Sequence, residues 1–153
     1  MKERHFCHGK YIFTYLSSEN QKVFFKARLD TESAAIDANQ VFIFKRLQHN
    51  QGNGYNSQSG KFTAPVSGMY QFTFYICPDT NNDAYYGPLH NGIFLVTGEL
   101  FNREEQVCSS HTEIVPVQTG DTVWVQNKGG IAYKFWENDW HSNTFSGFLL
   151  QTF

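Results

Sequence analysis

The richest set of chemistry-bearing side chains lies in Tyr133-Lys134-Phe135-Trp136-Glu137-Asn138-Asp139-Trp140-His141. Aromatic rings there are interleaved with carboxylates, an amide, an ammonium and an imidazole. That mixture suits sugar binding: a ring packs on the C–H face of a pyranose while Asn and Asp oxygens take hydroxyls. Tyr133, Trp136, Asn138, Asp139, Trp140 and His141 are the candidate ligand-binding residues. Lys134 or His141 would meet the carboxylate of a sialic acid. The competing reading is packing, with Trp136 and Trp140 covering the core or lying against a neighbouring protomer, because large exposed apolar patches are rare. Tyr85 and Tyr86 form a second, weaker aromatic candidate.

Other chemistries find less support. His5, Cys7 and His8 stand too close together to share a tetrahedral zinc ion, and no fourth ligand is evident, so a solvated tail is the simpler reading. There is no Gly-x-Ser-x-Gly elbow, no Walker loop and no His-Glu-x-x-His. Asp139 and His141 have no activated Ser or Cys beside them. Gly52-Asn53-Gly54 lacks the third glycine and the following helix of a dinucleotide fingerprint. The expectation is a protein that is not an enzyme and requires no cofactor.

The elements that must position these residues are strands. The chain has 153 residues, the size of one ordinary domain. Its formal charge of −2 gives no electrostatic footprint for nucleic acid. A mean hydropathy of −0.45 and interrupted apolar runs leave no room for a membrane-spanning helix. Aromatic residues make up 17% and charged residues 17%, a balance that suits pleated, half-buried surfaces and argues against disorder. Tyr70, Phe72, Phe74 and Ile76 alternate with Gln71, Thr73 and Tyr75, which reads as a half-buried strand. Strands are also expected over Val23–Leu29, Val41–Leu47, Thr112–Val117, the run around Val123 and Val125, and Phe145–Phe153. Ile93–Val96 is apolar on both faces and is expected to be central. Asn91-Gly92 signals a two-residue hairpin turn, in which both central residues need φ > 0. Thr31–Gln40 reads as a loop or at most one helical turn. Residues 1–20 are an extension or supply an extra strand through Tyr11–Leu16. Short strands with turns every 8–12 residues mean a sandwich or a closed barrel.

One set of motifs is distinctive. It begins with Ile43-Phe44, Asn50-Gln51-Gly52-Asn53-Gly54-Tyr55 and Gly60-Lys61-Phe62-Thr63-Ala64-Pro65, then Val66-Ser67-Gly68-Met69-Tyr70-Gln71-Phe72. Asn91-Gly92, Gly120-Asp121-Thr122-Val123-Trp124-Val125-Gln126 and Phe145-Ser146-Gly147-Phe148-Leu149-Leu150 follow in order. From about Val23 to Phe153 the chain resembles the globular C1q domain. The resemblance implies an all-β fold, a ten-stranded jelly roll of the tumour-necrosis-factor type, over residues 21–153. It also implies a homotrimer, an extracellular location and no enzymatic activity. Met1–Lys10 itself holds no apolar run of the signal-peptide kind. On that fold Gly52, Gly54 and Gly60 would supply φ > 0 in a turn pair. Phe62, Tyr70, Phe72 and Phe74 would fill the core or a three-fold interface.

In the resembled topology the strands ending at Cys77 and beginning after Cys108 are antiparallel neighbours. A Cys77–Cys108 disulfide is then possible, with two free thiols as the alternative and Cys7 left over. Some members of the family bind calcium through paired acidic residues, and the corresponding positions fall near Glu99 and Val107. Because Val107 is not acidic, Asp79 and Asp83, or Glu104 and Glu105, would have to contribute instead. Calcium takes 6–8 oxygens, so several loops or protomers would have to converge. Calcium therefore stands as a possibility, and otherwise these carboxylates are solvated.

The functional expectation is a secreted trimeric pattern-recognition lectin of innate immunity. It would bind microbial glycans such as lipopolysaccharide, mannose-type or sialic acid-type sugars, without nucleic acid and without inserting into a membrane. A secreted signalling ligand that docks a protein receptor is the alternative, and a purely structural assembly module is a third reading.

Overall fold

The computed structural model describes residues 21–30, 33–79, 83–100 and 107–153. His5, Cys7, His8, Tyr11–Leu16, Glu104 and Glu105, on which expectations were placed, lie outside these residues. The first strands are β1 (Phe24–Arg28), β2 (Ser33–Ile36), β3 (Arg46–Gln51), β4 (Tyr55–Asn56) and β5 (Lys61–Thr63). Next come β6 (Gly68–Ile76), β7 (Ala84–His90), β8 (Ile93–Phe94) and β9 (Gly98–Leu100). The last are β10 (Ser109–Val117), β11 (Thr122–Asn127), β12 (Tyr133–Trp136) and β13 (Thr144–Thr152).

They form a five-stranded sheet, in the order β10-β6-β13-β1-β3, and a six-stranded sheet, β4-β5-β11-β7-β8 with β9 also on β7. A small ribbon pairs β12 with β2. Strands distant in sequence lie side by side, as in β1 against β13 and β5 against β11, so the chain passes repeatedly between the sheets. This is a jelly-roll sandwich. The division is finer than ten strands because β4, β8 and β9 are short pieces and the β12–β2 ribbon is additional.

Period-two alternation makes the core. Tyr70, Phe72, Phe74 and Ile76 point inward from β6 and are all fully buried, as is Phe62, so these rings fill the protomer's own interior. Phe25 stacks on Tyr55 at 4.8 Å and meets Phe145 edge-on at 4.9 Å. A second group joins Phe42 to Phe135 at 4.9 Å and Phe74 to Tyr86 at 5.8 Å. Such offset and edge contacts add about 0.5–1.5 kcal/mol per pair to the gain from burial.

Several expectations need correction. Val41–Leu47 is not a strand: Val41 makes one isolated bridge to Gln126, and the ladder starts only at Arg46. Phe42 and Phe44 are fully buried all the same. Alternation reports which side chains turn inward, not whether the backbone has a partner strand. Ile93–Val96 is not central: β8 ends the sheet, and Ile93 is 74% exposed. The run is short because it is only the return arm of the Asn91-Gly92 hairpin, whose two turn residues have φ of 49° and 86°. Part of Thr31–Gln40 is strand β2, which finds its partner in β12 across the fold. Gly54 does not have the left-handed backbone of Gly52 and Gly60; Asn53 does. A Cβ on Gly54 would lie 2.4 Å from a ring carbon of Phe62, so this glycine serves close packing.

Candidate functional site

Strand β12 carries the aromatic segment up to Trp136, and a tight turn then returns the chain to β13. The turn is closed locally by Asn138. Its Oδ1 accepts the backbone N–H groups of Trp140 (2.9 Å) and His141 (2.8 Å), and its own N–H donates to the His141 carbonyl (2.7 Å). Asn does this readily because its short amide can bond the backbone two residues on.

Beneath the turn lies a buried polar network. Glu137 is 3% exposed and Asn143 fully buried. Glu137 accepts from the Arg28 guanidinium of β1, and its second oxygen accepts the Asn143 backbone N–H at 2.7 Å. The Asn143 side chain donates to the Trp136 carbonyl and accepts the Cys77 N–H at 2.7 Å. The Trp136 N–H in turn donates to the Cys77 carbonyl at 2.8 Å. Cys77, at the end of β6, is disulfide-bonded to Cys108 before β10, with Cα atoms 4.2 Å apart. A bridge over a sequence separation of 31 contributes about 3–4 kcal/mol in the chain-entropy account.

The six candidate binding residues do not share one surface. Tyr133 is buried: its hydroxyl lies so close to Gly129 that a Cβ there would sit 2.1 Å away. Trp136 is half-buried, with its ring 6.4 Å from that of His141, and its indole N–H meets no acceptor among the described residues. His141 is half-buried, with Nδ1 3.2 Å from Asn138 Oδ1. Only Asp139 and Trp140 stand fully in solvent, Trp140 at 90% exposure. The buried network of Arg28, Glu137 and Asn143 that supports the turn is not marked as a unit by the sequence. Glu137 carried one signal, a carboxylate inside an aromatic run, but its partner is distant in sequence.

The second aromatic candidate divides. Tyr86 is fully buried, and its hydroxyl is pushed up to about 12 by that burial. Tyr85 is exposed and lies 6.3 Å from Tyr133, at a cleft of about 380 Å³ that also includes Glu99, Lys128 and Gly98. The hydrogen bond to Glu99 raises the Tyr85 pKa, because the bond favours the neutral phenol. Another cleft, of about 700 Å³, lies elsewhere, between Val23, Gly52, Pro65 and Val66, and holds none of the candidate residues. Among the described residues no group of three or more His, Cys, Asp or Glu is placed to hold a metal ion. No helix among them is long and apolar enough to cross a membrane.

Mouse complement C1q tumor necrosis factor-related protein 2 is 32% identical over 111 residues, covering 70% of this chain and 36% of the relative. The human complement C1q tumor necrosis factor-related protein 3 is 30% identical over 132 residues, 84% of this chain and 51% of the relative. This chain thus spans about a third to a half of those relatives. The globular domain of zebrafish complement 1qA superposes with a TM-score of 0.70 at 17% identity, covering 86% of this chain and 99% of that one. The Eiger TNF of S. frugiperda follows at 0.66 and 9%, over 87% and 95% of the two chains. Those two likenesses concern the fold alone. The sequence pattern of the C1q domain matches residues 23–150, so with its jelly roll and its similarity to the C1q tumor necrosis factor-related proteins this chain belongs to the C1q domain family.

Proposed function

We propose that this domain works outside the cell as a non-catalytic homotrimer that docks a protein receptor. The observation that carries the homotrimer is the outer face of the five-stranded sheet. Tyr75 (37% exposed), Ile114 (59%), Phe148 (42%), Leu150 (46%) and Phe24 (41%) face solvent there, and Phe24 lies directly across from Phe148. Gln71, Thr73, Thr112 and Ser146 fill the positions between them. On the four strands β10, β6, β13 and β1 the outward charges are Lys26 and Arg28, and Arg28 is turned to Glu137. Apolar, aromatic and charge-depleted is the composition of an interface centre. The Cys77–Cys108 disulfide supports an oxidising, extracellular compartment. The named relatives support the signalling reading over the lectin one.

Glycan recognition remains as a second reading, favoured by the open indole of Trp140 beside Asp139. The test is paired. Sedimentation of the full chain is expected to give a trimer, and a labelled trimer is expected to bind particular cell types saturably. A glycan and microbial-polysaccharide array, run with calcium and with chelator, is expected to stay blank. A monomer at micromolar concentration sinks the trimer. Selective, sugar-eluted binding on the array replaces the receptor with the lectin, and a chelator effect there adds calcium.

A further inference from the structure

We propose that Trp140 is a preorganised anchor that enters an apolar, basic-rimmed pocket on the protein partner, an inference that rests on the receptor reading above. Among the described residues Trp140 is the most exposed of the large apolar side chains, at 90%. Its backbone N–H is held by Asn138, the same amide oxygen holds His141, and the turn closes through the Asn138 N–H and the His141 carbonyl. Glu137 and Asn143 tie the base of the turn to Arg28 and to the disulfide-bonded Cys77. The backbone beneath the ring is held, and an indole with only two side-chain torsions loses little conformational freedom when it docks. Its full area is available to an interface, where Trp is enriched among the residues that dominate binding.

The chemistry around the ring selects the partner. A sugar site needs several hydrogen-bonding groups converging beside the aromatic face, and Asp139 alone supplies one carboxylate. Here the Asn138 oxygen is already engaged by the turn, and His141 Nδ1 lies 3.2 Å from it. What stands in solvent is a convex indole with the Asp139 carboxylate next to it. That pair is complementary to a concave apolar pocket bordered by Lys or Arg. An anionic membrane surface would instead repel Asp139.

The experiment uses the labelled full chain, titrated by flow cytometry on a panel of cell types. The cells are left intact, shaved with trypsin or stripped with glycosidases. Binding is expected on intact and glycosidase-treated cells and is expected to be lost after trypsin. Trp140→Ala should weaken it at least tenfold, and Trp140→Phe less. Asn138→Ala keeps the ring but loosens the turn and should fall between wild type and Trp140→Ala. Asp139→Lys should also weaken binding. All four variants should keep the wild-type circular dichroism and sedimentation. Trp140→Ala binding as tightly as wild type overturns the anchor and leaves the receptor reading standing. No saturable binding by wild type on any cell overturns both. Loss after glycosidase but not trypsin overturns the proposal in favour of glycans. A changed sedimentation of Trp140→Ala overturns it in favour of contact between copies.

Discussion

The two sheets carry comparable aromatic side chains on their outer faces, yet treat them in opposite ways. On the six-stranded sheet Trp124 is only 8% exposed and Leu89 4%. The Lys61 ammonium lies 4.1 Å above the Trp124 ring, the indole N–H donates to Gln126 at 2.9 Å, and Lys128 sits 5.2 Å over Phe94. Long lysine stems cover apolar surface while their charged heads stay in water. On the five-stranded sheet Phe24, Ile114, Phe148 and Leu150 have no such cover among the described residues and are 41–59% exposed. Around Trp124 the chain's own side chains cover the apolar surface, whereas around Phe148 the described residues leave it open. Apolar content alone does not mark an interface; what the neighbouring strands lay over it does.

The sharpest way to break this contrast is Phe148→Asp. A carboxylate desolvated in each copy should weaken trimer association on the order of 10³-fold while the protomer's melting temperature changes little, because the side chain is half in water. Sedimentation and circular dichroism read the two effects separately, and a trimer that survives the change refutes the interface. Arg28→Ala should do the reverse. It leaves the buried Glu137 carboxylate without its cation and should cost about 3 kcal/mol of protomer stability. Urea unfolding measures this, and adding Glu137→Gln should restore part of the loss.

On the covered face Trp124→Ala should lower stability by about 2–3 kcal/mol, less than a full core truncation, with assembly unchanged. Lys61→Met removes the charge and keeps most of the stem. It should cost only about 0.5–1 kcal/mol, read from the same denaturation curves. The smallest effect is one of pH. Bonds from the Asn91 side chain, the Gln118 N–H and His90 favour the charged form of Asp121, and its carboxyl lies at about 2 instead of 3.8. A lowered pKa means that the folded state gains above about pH 4 and loses that gain as the pH falls toward 2. The urea midpoint of wild type should therefore exceed that of Asp121→Asn at pH 6, and the gap should close near pH 2.

Much of the fold was legible because its signals are local. Strand β6 follows from the alternation of Tyr70, Phe72, Phe74 and Ile76, and the hairpin turn from Asn91-Gly92. The candidate site was legible as a segment but not as a geometry. Tyr133 and Trp140 belong to one continuous run of residue types, yet one is 4% exposed and the other 90%. Asn138 has the right atoms for a ligand but uses them to close its own turn.

What the sequence determined by itself is therefore the all-β class, the inward set of aromatics and the family. Each depends on spacing along the chain, where a strand's period of two and a turn's need for positive φ act within a few residues. The tertiary structure alone decided that Glu137 is buried on Arg28, that Lys61 lies over Trp124 and that Phe148 is left 42% exposed among the described residues. Burial is set by whichever strand arrives from elsewhere in the chain. Arg28 and Glu137 are 109 residues apart, and only the jelly-roll crossing brings them into contact.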